Sequence, residues 1–333
     1  MKTFVIAEAG VNHNGNLKLA YKLADAAKKA KADCVKFQLF HSKELTTIYA
    51  SQADYQIKNT KKKQTQLKLL EKLELDFNKL KKIQLYCKKI KINFLLSVFG
   101  VEELKTVKKL NLKVLKIPSG EINNTPLLKY IAKMNKKIIL SSGMANLNEV
   151  EVAIKILKKN GLGNKKITVL QCTTDYPTQL KDVNLNAMIT MKKKFKVEVG
   201  LSDHTTGSIA AVSAVALGAK VIEKHITINN NLEGPDHKAS LNPKKFKEFV
   251  KNIRNVEILM GSHLKKPTKP ELKNKKIVRK SIVASINIKK GDKFSKLNIT
   301  CKRPEGGVSP IFWNKVIGKK SKQNFNVDDF ISI

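Results

Sequence analysis

His204 closes the segment that begins at 197–202 and His225 closes the segment 219–225, each after a short apolar run. If these segments are neighbouring strands, about 4.8 Å apart, both imidazoles can reach one divalent ion, or one another by hydrogen bonds. Spacing alone leaves both readings open. Two protein ligands would leave the remaining positions to water and substrate oxygen, which is an open catalytic site rather than a closed structural one. Other apolar runs also end in polar groups: Glu8, then Lys36 and Gln38, whose i, i+2 spacing puts both on one strand face. Ser97 follows, then Lys116 with Ser119 and Glu121, then Ser141, then Thr174 and Tyr176, then Ser202. Lys36 and Lys116, with the hydroxyls of Ser97, Ser119, Ser141 and Ser202, form a set suited to phosphate and carboxylate oxygens; the alternative is ion pairing with Glu8 or Glu121. Glu121 and Asp236 are placed to accept hydroxyls from a polyol, although Asp236 would equally support a Gly234-Pro235 turn. Glu223, two residues before His225, is expected to face it as a hydrogen-bond acceptor.

Positioning these groups requires a repeated scaffold. Strand candidates occur at 3–9, 33–38, 92–98, 113–118, 137–142, 166–172, 197–202 and 219–225. Amphipathic helices near 16–31, 76–91, 101–110, 125–135, 147–160, 184–194, 207–217 and 243–260 alternate with them. This βα repetition predicts a (β/α)8 barrel over 1–261, with every polar strand end on the catalytic rim. Residues 39–75 make an unusually long connection after the second strand, of the kind that forms lids. Residues 262–279, with two prolines and many charges, read as a linker, and 280–333 as a small, mostly β domain.

Composition narrows the function classes. The net charge is +38, but all but three of the 65 basic residues (Arg254, Arg279, Arg303) are lysine. Base readout draws heavily on the arginine fork, so no nucleic-acid partner is expected. No apolar run reaches the roughly 18 residues that span a bilayer, and Glu8 interrupts the N-terminus before a signal-type apolar stretch forms. A cytoplasmic enzyme without membrane partners is the expectation. Cys34, Cys87, Cys172 and Cys301 show no paired spacing and are expected to be buried free thiols.

The segments Glu8-Ala9-Gly10-Val11-Asn12-His13-Asn14-Gly15, Val35-Lys36-Phe37-Gln38, Lys116-Ile117-Pro118-Ser119-Gly120-Glu121, Gly200-Leu201-Ser202-Asp203-His204-Thr205, Glu223-Lys224-His225 and Gly234-Pro235-Asp236 together resemble the sialic acid (nonulosonate) synthases. Lys302-Arg303-Pro304 extends the likeness into a C-terminal antifreeze-like (SAF-type) domain. The resemblance implies condensation of phosphoenolpyruvate with an N-acylated mannosamine-type sugar, releasing phosphate and forming a nine-carbon 2-keto acid. It further implies that His204 and His225 hold Mn or Mg, that Lys36, Ser97, Lys116, Ser119, Ser141 and Ser202 bind phosphoenolpyruvate, and that Glu8 gives acid/base or electrostatic support. Gln38, Glu121, Thr174, Tyr176, Asp236 and Arg303 would hold the sugar, with Arg303 reaching into the partner's barrel in a domain-swapped homodimer. Thr174 stands where the N-acetylneuraminate-forming enzymes have Asn, and Ser97-Val98-Phe99 where they have Thr-Pro-Phe. Cys172-Thr173-Thr174-Asp175-Tyr176-Pro177, Gly234-Pro235-Asp236-His237-Lys238-Ala239-Ser240 and Ile277-Val278-Arg279-Lys280-Ser281 look more like the legionaminic acid synthases, whose acceptor is a 2,4-diacetamido-6-deoxy mannose analogue.

Overall fold

The computed structural model describes residues 2–333, which divide into two compact units, one up to Gly261 and the other Ser262–Ile333. In the first, eight parallel strands close into a barrel in sequence order. They are β1 (Phe4–Gly10), β2 (Cys34–Leu39), β3 (Asn93–Val98), β4 (Val114–Ile117), β5 (Lys137–Ser141), β6 (Ile167–Cys172), β7 (Glu198–Asp203) and β8 (Val221–His225). All eight expected strands are present, with ends displaced by no more than two residues. Helices cover the outside, and local chemistry starts several of them. Asp76 Oδ1 accepts the Lys79 amide at the start of Phe77–Lys89, and Asn146 and Glu149 cap each other reciprocally at the start of Leu147–Lys159.

Inside the barrel the side chains form layers, because every second residue of a strand points inward. Ile6, Cys34, Leu95, Ile139, Leu170 and Val221 make an apolar layer, with Val114 packed against it. Gly200 completes it on β7; a Cβ there would lie 2.1 Å from the Val221 carbonyl oxygen, so no larger residue fits. Two residues further along the eight strands come Glu8, Lys36, Ser97, Lys116, Ser141, Cys172, Ser202 and Glu223. The alternation that fills the barrel bottom therefore fixes a polar layer above it. Strand register then decides which polar groups meet: Glu8 lies opposite Lys36 on one side and His225 on the other, Ser97 opposite Lys116, and Ser202 opposite Glu223.

The long connection after β2 holds three short helices, Ser42–Leu45, Asp54–Thr60 and Gln66–Glu71. Glu74 ties its two ends together, accepting from the Ser42 amide and hydroxyl at 2.9 Å each.

In the second unit, β9 (Ser281–Ala284) and β10 (Ile299–Lys302) pair antiparallel over a core that includes Ile282, Ile288, Phe294, Phe325 and Ile331. Residues 269–278, inside the stretch expected to be a plain linker, form a helix, Lys269–Val278. Thr268 and Glu271 cap its start reciprocally and Pro270 occupies its first turn, where a missing N–H costs nothing; the proline that suggested a break starts a helix instead. Among the described residues no helix is long and apolar enough to cross a membrane. Cys34, Cys87 and Cys172 are buried free thiols, whereas Cys301 is half-buried.

Candidate active site

The C-terminal strand ends open into a cavity of about 320 Å³. Among its lining residues are Glu8, Lys36, Gln38, Ser97, Lys116, Ser119, Glu121, Ser141, Thr174, Tyr176, Ser202, His204, Glu223, His225 and Asp236. The structure thus gathers in one place every candidate residue of the barrel. Arg303 belongs to the C-terminal unit, where it is exposed just past the end of β10.

The floor is a buried set of alternating charges. Lys36 Nζ lies 3.0 Å from Glu8 Oε2 and 3.4 Å from Glu223 Oε2, and donates to Ser97 Oγ at 2.7 Å. Lys116 Nζ donates to Ser141 Oγ at 2.6 Å and lies 3.9 Å from Glu223 Oε1. Ser202 donates to that same Glu223 oxygen at 3.0 Å. Glu223 is therefore the hinge of the floor rather than the acceptor for His225 that its spacing suggested. The Ser202 register and the inward turn of both lysines claim its oxygens. Nor does Lys116 pair with Glu121, whose carboxylate accepts from Asn124 at 2.7 Å. Ion pairing holds for Lys36 with Glu8 alone among the pairs anticipated.

Burial and these neighbours set the charge states. Burial raises Glu8 above the usual carboxylate range, and the Glu223 charge adds to this against the pull of Lys36. Glu223 goes the other way, down to about 2, because Lys116, Lys36 and the Ser202 hydroxyl outweigh its burial. Burial lowers Lys116, whereas the two carboxylates raise Lys36 despite burial. Asp236 is pushed up to about 7 by burial and by the Glu8 charge.

Across from the floor, the rings of His204 and His225 lie 5.6 Å apart, centroid to centroid. His204 Nδ1 donates to the Thr173 carbonyl at 2.7 Å, which leaves Nε2, 3.4 Å from the Ser202 hydroxyl, as the nitrogen that can ligate. Burial and the His204 charge keep the His225 imidazole well below its usual pKa, and its Nδ1 is buried with no hydrogen-bond partner. The orphaned neutral nitrogen of His225, beside a His204 ring whose Nε2 becomes a ligand once its proton is displaced, fits a divalent ion held by two protein ligands, with that proton released on binding. Among the described residues no cluster of three or more His, Cys, Asp or Glu is arranged to hold a metal, so any ion here would keep positions for other ligands.

Sequence reasoning missed several lining residues. Cys172 Sγ lies 4.0 Å from His204 Nδ1 and 3.6 Å from Ser119 Oγ; against burial, the thiol is drawn down and the imidazole up by each other. Its place in the strand alternation, two residues past Leu170, was the available signal. Tyr55, from the helix Asp54–Thr60, lies 5.0 Å from Tyr176, centroid to centroid, with the rings tilted by 33°, and Tyr176 in turn lies 4.2 Å from the His204 ring. The same helix is fastened to the Asp236 loop through Asn59, whose amide donates to the Pro235 carbonyl at 2.6 Å. Nothing in a 37-residue connection, 39–75, announces which of its residues faces the site.

Comparison with known proteins places this geometry. The NeuB family model matches residues 23–265 and the SAF domain model residues 279–332. The chain is 50% identical over 330 residues to the N,N'-diacetyllegionaminic acid synthase of Campylobacter jejuni, covering 99% of each chain. It is 40% identical to the enzyme of the same name from Legionella pneumophila, covering 98% of this chain and 92% of that one. A solved N-acetylneuraminic acid synthetase from Leptospira borgpetersenii, in complex with citrate, superposes with a TM-score of 0.72 at 32% identity, covering 82% of this chain and 90% of that one. With these matches running through both the barrel and the C-terminal domain, the chain belongs to the NeuB family, whose relatives here are named as acid synthases, and it carries a SAF domain after its barrel.

Proposed function

We propose that the chain condenses phosphoenolpyruvate with 2,4-diacetamido-2,4,6-trideoxymannose, releasing phosphate and forming N,N'-diacetyllegionaminate. The observation that carries the reading is the floor: two buried lysines, each bonded to a serine hydroxyl, beside a pair of convergent imidazoles. The identity of 50% across the whole chain to an N,N'-diacetyllegionaminic acid synthase supports the choice of sugar.

Lys36 and Lys116 would take the carboxylate and phosphate of phosphoenolpyruvate, helped by Ser97, Ser119, Ser141 and Ser202. The serines now answer the ammonium groups, so the two lysines have partners before substrate arrives and exchange one set of oxygens for another. His204 and His225 would hold Mn or Mg, whose chemistry is to polarise the sugar aldehyde oxygen. Carbon 3 of the enolpyruvate adds to that aldehyde carbon, water adds to carbon 2, and the resulting tetrahedral centre expels phosphate by C–O cleavage. Glu8, raised above the usual range, is suited to hold or pass a proton beside these steps. Gln38, whose amide donates to Glu8 at 3.2 Å, would orient it and meet the sugar with Glu121, Thr174, Tyr176 and Asp236. The exposed Arg303 would complete the sugar site in a domain-swapped homodimer, one chain serving the other.

The experiment is phosphate release from phosphoenolpyruvate with Mn, comparing the diacetamido sugar with N-acetylmannosamine, with and without chelator. Chelator-sensitive release favouring the diacetamido sugar is expected. Preference for N-acetylmannosamine would overturn the choice of acceptor, and release unaffected by chelator would overturn the metal.

A further inference from the structure

A site for a polyol should be polar, yet one wall of this cavity is not. Val11, Phe40, Leu45, Leu70, Leu73 and Phe99 all line it, and all belong to one small hydrophobic cluster separate from the barrel core. Phe40 and Phe99 meet edge to face at 5.9 Å. The contributors follow β1, β2 and β3, so the wall stands at the mouth, beyond the charged strand ends.

The long connection needs a core of its own, but that need does not account for the wall. Leu69, the remaining buried member, does not line the cavity, and Val11 and Phe99 lie on other loops. The wall itself carries no cation; among the described residues Lys36 and Lys116 are the only lysines or arginines lining the cavity, and both are committed to the floor.

We propose that this wall selects the acceptor at carbon 6, taking a methyl group and rejecting a hydroxymethyl or phosphorylated carbon. The inference rests on the proposed reaction. Carbon 1 of the sugar has to meet the enolpyruvate at the floor beside the histidines, which leaves the far end of the open chain toward the mouth. A hydroxyl pressed against Phe40, Leu45 and Leu70 would lose its water partners and find none on the wall, since the Gln56 and Gln66 amides elsewhere in the connection have their carbonyl oxygens taken by the Ala53 amide and the Thr46 hydroxyl; a phosphate would also lack a counter-charge. A methyl there removes apolar surface from water on both sides.

The test is kcat/KM for a matched pair of 2,4-diacetamido acceptors that differ only in a methyl or a hydroxymethyl at carbon 6. The wild type is expected to favour the methyl sugar by about 10- to 100-fold, the range a pocket achieves for one such group. Leu70→Gln and Leu45→Gln should each cut that ratio to about threefold or less, with KM for phosphoenolpyruvate unchanged, because only the contact with carbon 6 is altered. Equal use of the two sugars by the wild type, or an unaltered ratio in both variants, would overturn the wall's role while leaving the condensation standing. Turnover of N-acetylmannosamine with neither diacetamido sugar used would instead overturn the proposed acceptor, and the inference with it. If the variants lose their fold by circular dichroism, the wild-type ratio decides.

Discussion

The charged floor of the cavity rides on the barrel strands, whereas the apolar wall hangs on the loops that follow β1, β2 and β3. On the floor, position is set by backbone ladders on both sides, and each polar group finds its partner across a strand: Glu8 with Lys36, Ser202 with Glu223. The wall has no such ladder. Its position depends on side-chain packing and on a few tethers, such as Asn59 to Pro235 and Glu74 to Ser42. A rigid floor suits chemistry shared by all acceptors, because misplacement of about 1 Å can cost about 10²-fold in rate. A loop-borne wall can change with the acceptor without disturbing the reacting atoms.

On this division, floor and rim variants should damage turnover with every sugar. The largest effect is expected for His225→Ala, which should lower metal-dependent turnover by about 10³-fold or more, since Lewis-acid polarisation is worth several kcal/mol. The fold should survive, as circular dichroism would report, because the ring's Nδ1 has no protein partner to lose. Retained turnover would remove the metal from these histidines. Next comes Lys36→Met, expected to cost about 10²-fold through KM for phosphoenolpyruvate. It should also lower the melting temperature, because Glu8 and Glu223 would keep buried charge without their shared partner. A defect confined to the sugar would place Lys36 on the wrong substrate.

Arg303→Ala tests the other unit. A charge-assisted hydrogen bond of about 1.5–3 kcal/mol predicts a loss of about 10- to 100-fold in kcat/KM for the sugar. Phosphoenolpyruvate binding should be little changed, as titration in the absence of sugar would measure. A defect on the phosphoenolpyruvate side alone would contradict the proposed role of Arg303.

How much of this was legible in the sequence follows the same division. Strands β1 to β8 were readable because buried parallel strands are near-continuous apolar runs, and a Lys or Glu at their ends stands out. Lys36, Lys116, His204 and His225 were found that way. Pairing was not readable, because one-letter spacing carries no register: Glu223 was assigned to His225 although the strand offset gives it to Ser202 and the two lysines. Cys172 looked like an inert core thiol because cysteine is most often buried, although its place at the C-terminal end of β6, two residues past Leu170, was the signal that put it at the cavity. Tyr55, Phe40 and Phe99 were invisible as lining residues, because loop geometry depends on contacts distant in sequence. The helix Lys269–Val278 was lost to a proline that the capping pair Thr268 and Glu271 turns into a start signal.

The smallest effect concerns Asp236, which lines the cavity from the loop after β8. Burial and the Glu8 charge hold its carboxyl at about 7, so it is mostly protonated below that pH and ionised above it. Only the ionised form accepts a hydrogen bond with both oxygens, so a sugar hydroxyl should be held better as pH rises through 7. KM for the sugar is therefore expected to fall by about threefold between pH 6 and 8, a modest change because the protonated carboxyl still donates one hydrogen bond to the sugar. Asp236→Asn, which cannot ionise, should flatten that dependence while leaving the pH profile of phosphoenolpyruvate binding in place. If the profile of the sugar KM is the same in both proteins, another group titrates there, and Glu8, raised by the same burial, becomes the one to replace next with Gln.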